Sequence, residues 1–514
     1  MRRRRPTSRC CGSTTPRTRT ASTRLSRRSR TRRPSVARPS DGLTYTFHLR
    51  SEAKWADGKP VVAADWVYGW KHFLNPALAA GYVDPFFDQT IAGGSGYSDV
   101  DVKSAPAIDS YLNGLGLSAP DDHTFVVKLA QPAGYFKWVA SLWMAVPLRK
   151  DIVEQAAGGA FPSTDTTKAE AWANDPRTIV GNGMFKIAEY TPKDHLTLAP
   201  NTYFWGGPPK LQKLTYSFIA DGNTAFANYR TGQLDALLVP VADVITVRQD
   251  PQLSKQARLY PRLGTTWVAY NSKRAPLDNA DVRLALSKAI DRDKLTKDVL
   301  KGTATPIQSF IPKGMNGYDP SLGDAQKFDP AAAKQLLQKA GVTAADLSKF
   351  KLLTRDLTGN KTVNQFISQQ WQDNLGVNIA VDVVDSKTVT SDVRKGQFDI
   401  YGPDGWIADY PDQQDWFDIF TSTACHSLNW GCVSLPGYDR TVAQADGGKT
   451  DPARNAVYQK AQKQVIDAGT VGFLYQSAEY TLIRPYVRGL TVTPMDDQGI
   501  PGDLQYHDAF IAKH

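Results

Sequence analysis

Five carboxylates, Asp404, Asp409, Asp412, Asp415 and Asp418, fall between Gly402 and Asp418 among Trp406, Tyr410, Trp416 and Phe417. It is the most unusual stretch of the chain. Gly402, Pro403 and Gly405 favour extended over helical backbone there. Two readings fit. As the wall of a cleft, extended backbone would pair with a bound strand, aromatic faces would pack on it, and one acid would meet a cation. As an exposed acidic loop, the same rings would serve only as anchors. Composition alone leaves both open.

Signs of catalysis are missing elsewhere. The chain holds no H-E-x-x-H, no phosphate-binding G-x-x-x-x-G-K-[ST] loop and no G-x-S-x-G elbow. The Gly-x-Gly fragments at Gly114–Gly116 and Gly181–Gly183 lack a third glycine and a strand–turn–helix setting, and read as turns. The seven histidines are scattered and read as surface or hydrogen-bonded residues. The expectation is a binding protein with no catalytic residues and no cofactor. Of four cysteines, Cys10 and Cys11 lie in an aberrant N-terminal stretch. Cys425 and Cys432 share a short loop, which suits either a disulfide in an oxidising compartment or two free buried thiols. With only His426 beside them and no second C-x-x-C, a metal site is not expected.

At 514 residues the chain exceeds what one hydrophobic core organises, so two or three lobes are expected. No apolar run reaches the length of a membrane span. The net charge of +10 is local. Residues 1–40 hold fourteen Arg and no acid, and removing these from 61 basic residues leaves 47 against 51 acidic, a net of −4. The block has no aromatic residue and cannot bury enough apolar surface to offset chain entropy, so it is expected to be disordered. A nucleic-acid arm through residues 1–40 is the lesser alternative, because nothing supplies stacking and nothing downstream resembles a nucleic-acid fold. No apolar segment follows the arginines as in a signal peptide, and none precedes Cys10 or Cys11 as in a lipoprotein. The block reads as GC-rich DNA translated out of frame, and it is placed outside the fold.

From Asp41 the texture becomes that of a folded protein. Tyr45, Phe47 and Leu49 alternate as in a half-buried strand, and Val61 to Phe73 follow a helical period up to Asn75–Pro76. His123 to Leu129 form another strand, residues 181–201 a hairpin, and Leu214, Tyr216 and Phe218 a further strand. A helix runs from Thr224 to Arg230, capped by Gly232, and a strand lies near Thr266–Tyr270. Asn279 and Asp329–Pro330 begin helices, and Gly341 ends the second. Val363, Phe366, Ile367, Trp371 and Leu375 line one helix face, after which Val377, Ile379, Val381 and Val383 alternate. The mixture predicts an α/β protein with mixed sheets and no internal repeat.

Several stretches resemble, in order, one family: DGLTYTFHLRSEAKWADGKPVVAADWVYGWKHFLNP (41–76), LSAPDDHTFVVKLAQPAGYF (117–136), GNGMFKIAEY through NTYFW (181–205), YRTGQLDAL (229–237), YNSKRAPLDNADVRLALSKAIDRDKL (270–295), GWIADYPD (405–412) and IRPYVRGL (483–490). The family is that of the extracellular solute-binding proteins, which includes bacterial oligopeptide- and dipeptide-binding proteins. The resemblance implies a two-lobed, periplasmic-binding-protein-like clamp whose lobes are joined by two crossing strands. An extra domain (41–175) would sit on the first lobe (176–270 and 484–514), and 271–483 would form the second lobe.

The resemblance implies a site as well. Asp409 stands where peptide binders pair an aspartate with the ligand's ammonium group, a charge-assisted bond strengthened in a dry cleft. Gly405 and Trp406 would offer backbone to the peptide, with Tyr410 beside them. Lys361 lies near the position where dipeptide binders receive the ligand carboxylate, though surface solvation also explains it. Pro403 and Asn360 replace the arginine and histidine of oligopeptide binders. A cysteine pair after this motif in dipeptide binders favours a Cys425–Cys432 disulfide. The implied partners are a short peptide and the permease and ATPase subunits of an ABC importer, with the chain a monomer outside the cytoplasm. It would meet the membrane only through the permease or through a lipid anchor that this sequence lacks. Other members bind oligosaccharides, metal chelates or signalling peptides. Members also carry a signal peptide, a lipobox cysteine and opening strands of the first lobe where this chain has the Arg-rich block, which implies a first lobe short of part of its sheet.

Overall fold

The computed structural model describes residues 36–37 and 42–513, apart from 81–82, 84–86, 160, 162–163, 426, 449–450 and 497–501. The Arg-rich block up to residue 35, with Cys10 and Cys11, lies outside the described residues, as does His426.

Strands β1 (Val36–Ala37), β2 (Thr44–His48), β3 (Leu117–Asp121) and β4 (Thr124–Lys128) form an antiparallel sheet in the order β1-β2-β4-β3. Val36 pairs with Phe47 and Ala37 with Thr46, so this sheet reaches back past Asp41. The sequence placed all of residues 1–40 outside the fold. That boundary is corrected here, because a strand edge needs backbone pairing rather than a patterned side-chain run. Helix α1 (Ala63–Phe73) begins where the Asp65 carboxylate accepts from the Val62 N–H at 3.0 Å and the Trp55 indole at 3.1 Å. It buries Trp70 against Phe87, Phe125 and Phe136, with ring centroids 5.5, 5.3 and 6.2 Å away. Asn75 then stops it by accepting from the Ala77 N–H.

Strands β5 (Phe185–Thr191), β6 (His195–Pro200) and β7 (Leu214–Ser217) make a three-stranded antiparallel sheet. Its cover is thin. Only Thr197 is buried among the strand residues, and Tyr190 and Phe218 are 44% and 43% exposed. A sheet with neither face buried gains little from the hydrophobic effect.

The third sheet joins β8 (Ala236–Leu238), β9 (Ala257–Tyr270), β10 (Ala304–Pro306), β11 (Lys351–Arg355), β12 (Ala380–Val384), β13 (Ile400–Ile407) and β14 (Val471–Ile483). Its order is β10-β14-β9-β13-β11-β12, with β8 also on β14. It is mixed, since β11 runs parallel to β12 and β13 while β13 runs antiparallel to β9. β9 and β14 pair from Ala257 opposite Leu482 to Ala269 opposite Val471, with two register shifts between. One end of this long ribbon carries β8 and the other the mixed sheet, as two strands crossing between lobes must. The sequence showed only the last five residues of β9, because Pro261 and Gly264 break its alternation.

Helix α2 (Thr358–Leu375) covers one face of the mixed sheet through Val363, Ile367 and Trp371. Helices α3 (Tyr438–Asp446) and α4 (Asp451–Asp467) cover the other, packing Tyr438, Tyr458 and Val465 on Trp267 and Phe473. The expected caps are present. Asn279 and Asp329 accept from backbone N–H groups, and Gly341 and Gly376 take positive φ at helix ends. Among the described residues no helix is long and apolar enough to cross a membrane.

Candidate functional site

The unusual stretch becomes β13 and the turn after it. Its first residues, Ile400 and Tyr401, pair with β11, and there the parallel ladder stops. Pro403 has no N–H to continue it. Asp404 to Ile407 pair with β9 alone among the described residues, leaving one edge of extended backbone open. Only glycine fits at 405, since a Cβ there would stand 2.5 Å from the Thr265 carbonyl oxygen.

The open edge borders a cavity of about 290 Å³ whose lining includes Arg355, Asn360, Tyr401, Asp404, Gly405 and Trp406. Arg355 ends β11, at the carboxyl end of a parallel strand where α/β proteins place their ligand groups. Its Nε donates to the Tyr401 hydroxyl at 3.2 Å, and among the described residues no carboxylate lies within ion-pair distance of its guanidinium. Burial pushes Asp404 up to about 6. The Gly405 N–H, the Arg355 charge and the Trp430 and Trp267 indoles pull the other way.

Asp409 follows on a turn built around Asp415. The Asp415 Oδ2 accepts the Asp409 N–H at 2.7 Å, and the Trp406 indole and the Tyr410 N–H face this carboxylate and favour its charged form. Burial first, and then the charge of Asp409, hold Asp415 well above the usual carboxylate range.

The structure brings Gly405 and Trp406 to the cavity and Asp409 three residues beyond Trp406, but it takes two expected residues elsewhere. Tyr410 is 1% exposed and packs into the core of the four-stranded sheet with Tyr45 and Phe136, its hydroxyl donating to Gln414. It therefore holds the turn rather than presenting a face to ligand. Lys361, on the first turn of α2, donates to Asp356 at 2.8 Å and does not line the cavity. The sequence reading named neither Arg355, which lines the cavity, nor Asp415, which accepts the Asp409 N–H. The one available signal for Arg355 was its place at the end of an apolar strand.

Cys425 and Cys432 form a disulfide, S–S 2.01 Å. Their loop is tied to the end of β9, where the Ser272 N–H donates to the Gly431 carbonyl at 2.9 Å and the Ser272 hydroxyl to the Cys432 carbonyl at 2.8 Å. Through Trp430 it reaches Asp404. Among the described residues no cluster of three His, Cys, Asp or Glu could hold a metal ion.

An open strand edge in a cavity, with a cation at one end and a carboxylate turn beyond the other, has the geometry of a candidate binding cleft. The comparisons agree: residues 35–427 match the model of the bacterial extracellular solute-binding proteins, family 5, and the chain belongs to that family. The chain is 28% identical over 494 residues to the periplasmic murein peptide-binding protein of Escherichia coli, covering 94% of this chain and 85% of that one. It matches the structure of the Haemophilus influenzae oligopeptide-binding protein in complex with RPPGFSPFR at 27% identity and TM-score 0.76, over 93% of this chain and 89% of that one. Against an unliganded open form of a murein tripeptide-binding protein, at 28% identity and covering 93% and 88%, the TM-score is 0.68. The arrangement of this chain is thus closer to the complex than to the open form.

Proposed function

We infer that this protein is the capturing subunit of an ABC importer and that its ligand is a short peptide, bound as an added strand. The observation that carries this is the open edge of Asp404–Ile407 along the cavity. Main-chain hydrogen bonds would hold the peptide whatever its side chains. Asp409 would take the ammonium group and Arg355 the carboxylate, each by a charge-assisted bond.

The register bounds the ligand. Leu353 lies opposite Tyr401, so Arg355 stands level with Pro403, six residues from Asp409. Fully extended backbone at about 3.3 Å per residue would make that at most roughly 20 Å, and the irregularity after Tyr401 and the turn at Asp409 shorten it, which favours a short peptide. Delivery would be to a membrane permease outside the cytoplasm, powered by a separate ATPase, with this chain a monomer that performs no chemistry. The extra domain would comprise 36–175, the first lobe 176–270 with 484–514, and the second lobe 271–483.

Calorimetry with tetra-alanine tests the reading. Micromolar or tighter binding is expected, weakened at least tenfold by N-acetylation and lost in Asp409→Ala. Equal affinity for free and acetylated peptide overturns the role of Asp409.

A further inference from the structure

A separate cavity, of about 390 Å³, lies where the four-stranded sheet and α1 meet the turn after β6. Strands β2 and β4 give it Phe47 and Phe125, α1 gives Trp66 and Trp70, and the turn gives Trp205. None of these lines the cavity beside Asp404–Ile407. The rings form a nearly continuous wall, with Phe47, Trp66 and Trp70 centred 5.8, 6.0 and 5.3 Å from Phe125. Phe47 and Trp66 are nonetheless only half-buried, and Trp205 is 47% exposed. The two sides are fixed to each other. The Ala56 N–H donates to the Gly181 carbonyl at 2.9 Å, and the Lys54 Nζ stands 5.9 Å from the Tyr203 ring centroid. Asn201, fully buried, ties down the turn that carries Trp205. Its amide donates to the Gly183 carbonyl at 2.8 Å and accepts from the Tyr203 N–H at 3.0 Å. The cavity is thus preformed, as small-molecule sites usually are.

Two polar groups on its walls are unspent. Trp70 is 1% exposed, and its indole N–H has no hydrogen-bond partner among the described residues. A buried donor left so is rare and costly. The second group is Arg50, which also lines the cavity. Its Cζ stands 3.6 Å from the Trp205 ring centroid, so the guanidinium lies on the ring face and keeps its N–H edge for a guest. It makes no hydrogen bond among the described residues. Its one ion-pair partner among them, Glu52, is 3.9 Å away and beyond hydrogen-bond reach.

We propose that this cavity is a second ligand site, separate from the peptide cleft, and that it takes a flat aromatic carboxylate. The guest's ring system packs among Phe47, Trp66 and Trp205, where offset and edge-to-face contacts add to the area buried. Its carboxylate meets the free edge of Arg50 in a charge-assisted, bidentate pair. An acceptor on the guest relieves the stranded Trp70 donor. The cavity is at the small end of the range for ligand sites, which suits one or two fused rings. An aliphatic acid would serve Arg50 equally and leave the ring faces poorly matched, so the preference for an aromatic body is part of the proposal.

No residue of the peptide cleft takes part, so the inference stands apart from the capture reading and is tested without peptide. Calorimetry of the whole chain with naphthylacetate is the experiment. One-to-one binding with a Kd of about 0.1 mM or tighter is expected. Naphthylacetamide, which lacks the charge, and octanoate, which lacks the rings, should each bind at least about fivefold more weakly. Arg50→Gln should erase the preference for acid over amide. Ala140→Trp, which fills the cavity from its wall, should abolish binding, with circular dichroism showing both variants folded. Arg50 has no hydrogen-bonded partner to strand, so its variant decides the matter even if Ala140→Trp fails to fold. No heat with naphthylacetate overturns the proposal. So does binding that survives Arg50→Gln with its acid preference intact, because the probe then sits elsewhere. Octanoate binding as tightly as naphthylacetate overturns the aromatic assignment.

Discussion

The Oδ2 of Asp415 accepts the backbone N–H of Asp409 at 2.7 Å, so one acid is held in place by another. The Asp409 N–H donates to Asp415 while the Trp406 indole and the Tyr410 N–H face it, and its burial leaves these donors no water as a substitute. Asp415→Ala should cost about 1–3 kcal/mol for the donors left unmet, and should weaken tetra-alanine binding about tenfold by releasing the Asp409 turn. Asp415→Asn keeps the size and one acceptor oxygen and imitates the protonated acid that burial favours, so it should bind within about threefold of the parent at pH 7. Calorimetry on the pair checks this. Equal losses in both would mean that the carboxylate does not act through hydrogen-bond geometry.

Arg355 and Lys361 make opposite predictions, although both are cations near the same cavity. Arg355→Ala should weaken tetra-alanine binding by about tenfold or more, since charge-assisted bonds contribute about 1.5–3 kcal/mol. The amidated peptide should bind parent and variant alike. Lys361→Ala should change affinity by less than about twofold, because its partner is the exposed Asp356 and such pairs contribute little. If Lys361→Ala gives the larger loss, the carboxylate end has been placed on the wrong residue.

The disulfide should matter to both fold and ligand. Closing so short a loop contributes about 2 kcal/mol through the unfolded chain. Cys425→Ser/Cys432→Ser should therefore lower Tm by several degrees in scanning calorimetry. It should also loosen Trp430 from Asp404 and weaken peptide binding, since that indole helps hold the acid beside the open edge. A lower Tm with unchanged affinity would confine the bridge to stability.

Local pattern carried much of this fold. The helix of Val363, Ile367 and Trp371 and the caps at Asn279, Asp329 and Gly341 were legible because period and end chemistry lie within a few residues. The length of β9 was not, since its pairing with β14 joins residues about two hundred positions apart. The site divides the same way. Asp409, Gly405 and Trp406 stood in a recognisable run. The core position of Tyr410 depends on Tyr45 and Phe136 from another domain, and the open guanidinium of Arg355 depends on where β11 stops pairing.

The bidentate pair of Arg454 and Asp412 offers a test in which pH and mutation must agree. Arg454 is 4% exposed along its side chain and Asp412 14%, so neither charge can turn fully to water when its partner is removed. Arg454→Met should destabilise the protein by about 3–5 kcal/mol at pH 8, because it strands Asp412 and deprives Asp446 of the cation that lowers it. The sign with pH follows. Without the arginine Asp446 loses the charge that lowers it and is raised further, so its protonation relieves part of the defect, and the deficit should shrink as pH falls from 8 to 5. Arg454→Met/Asp412→Leu, which removes both charges, should recover much of the loss at pH 8. Urea unfolding of the parent and the two variants at both pH values measures all of this. A deficit that is constant with pH would show that Arg454 acts by packing on Tyr458 and Tyr135 rather than by its charge.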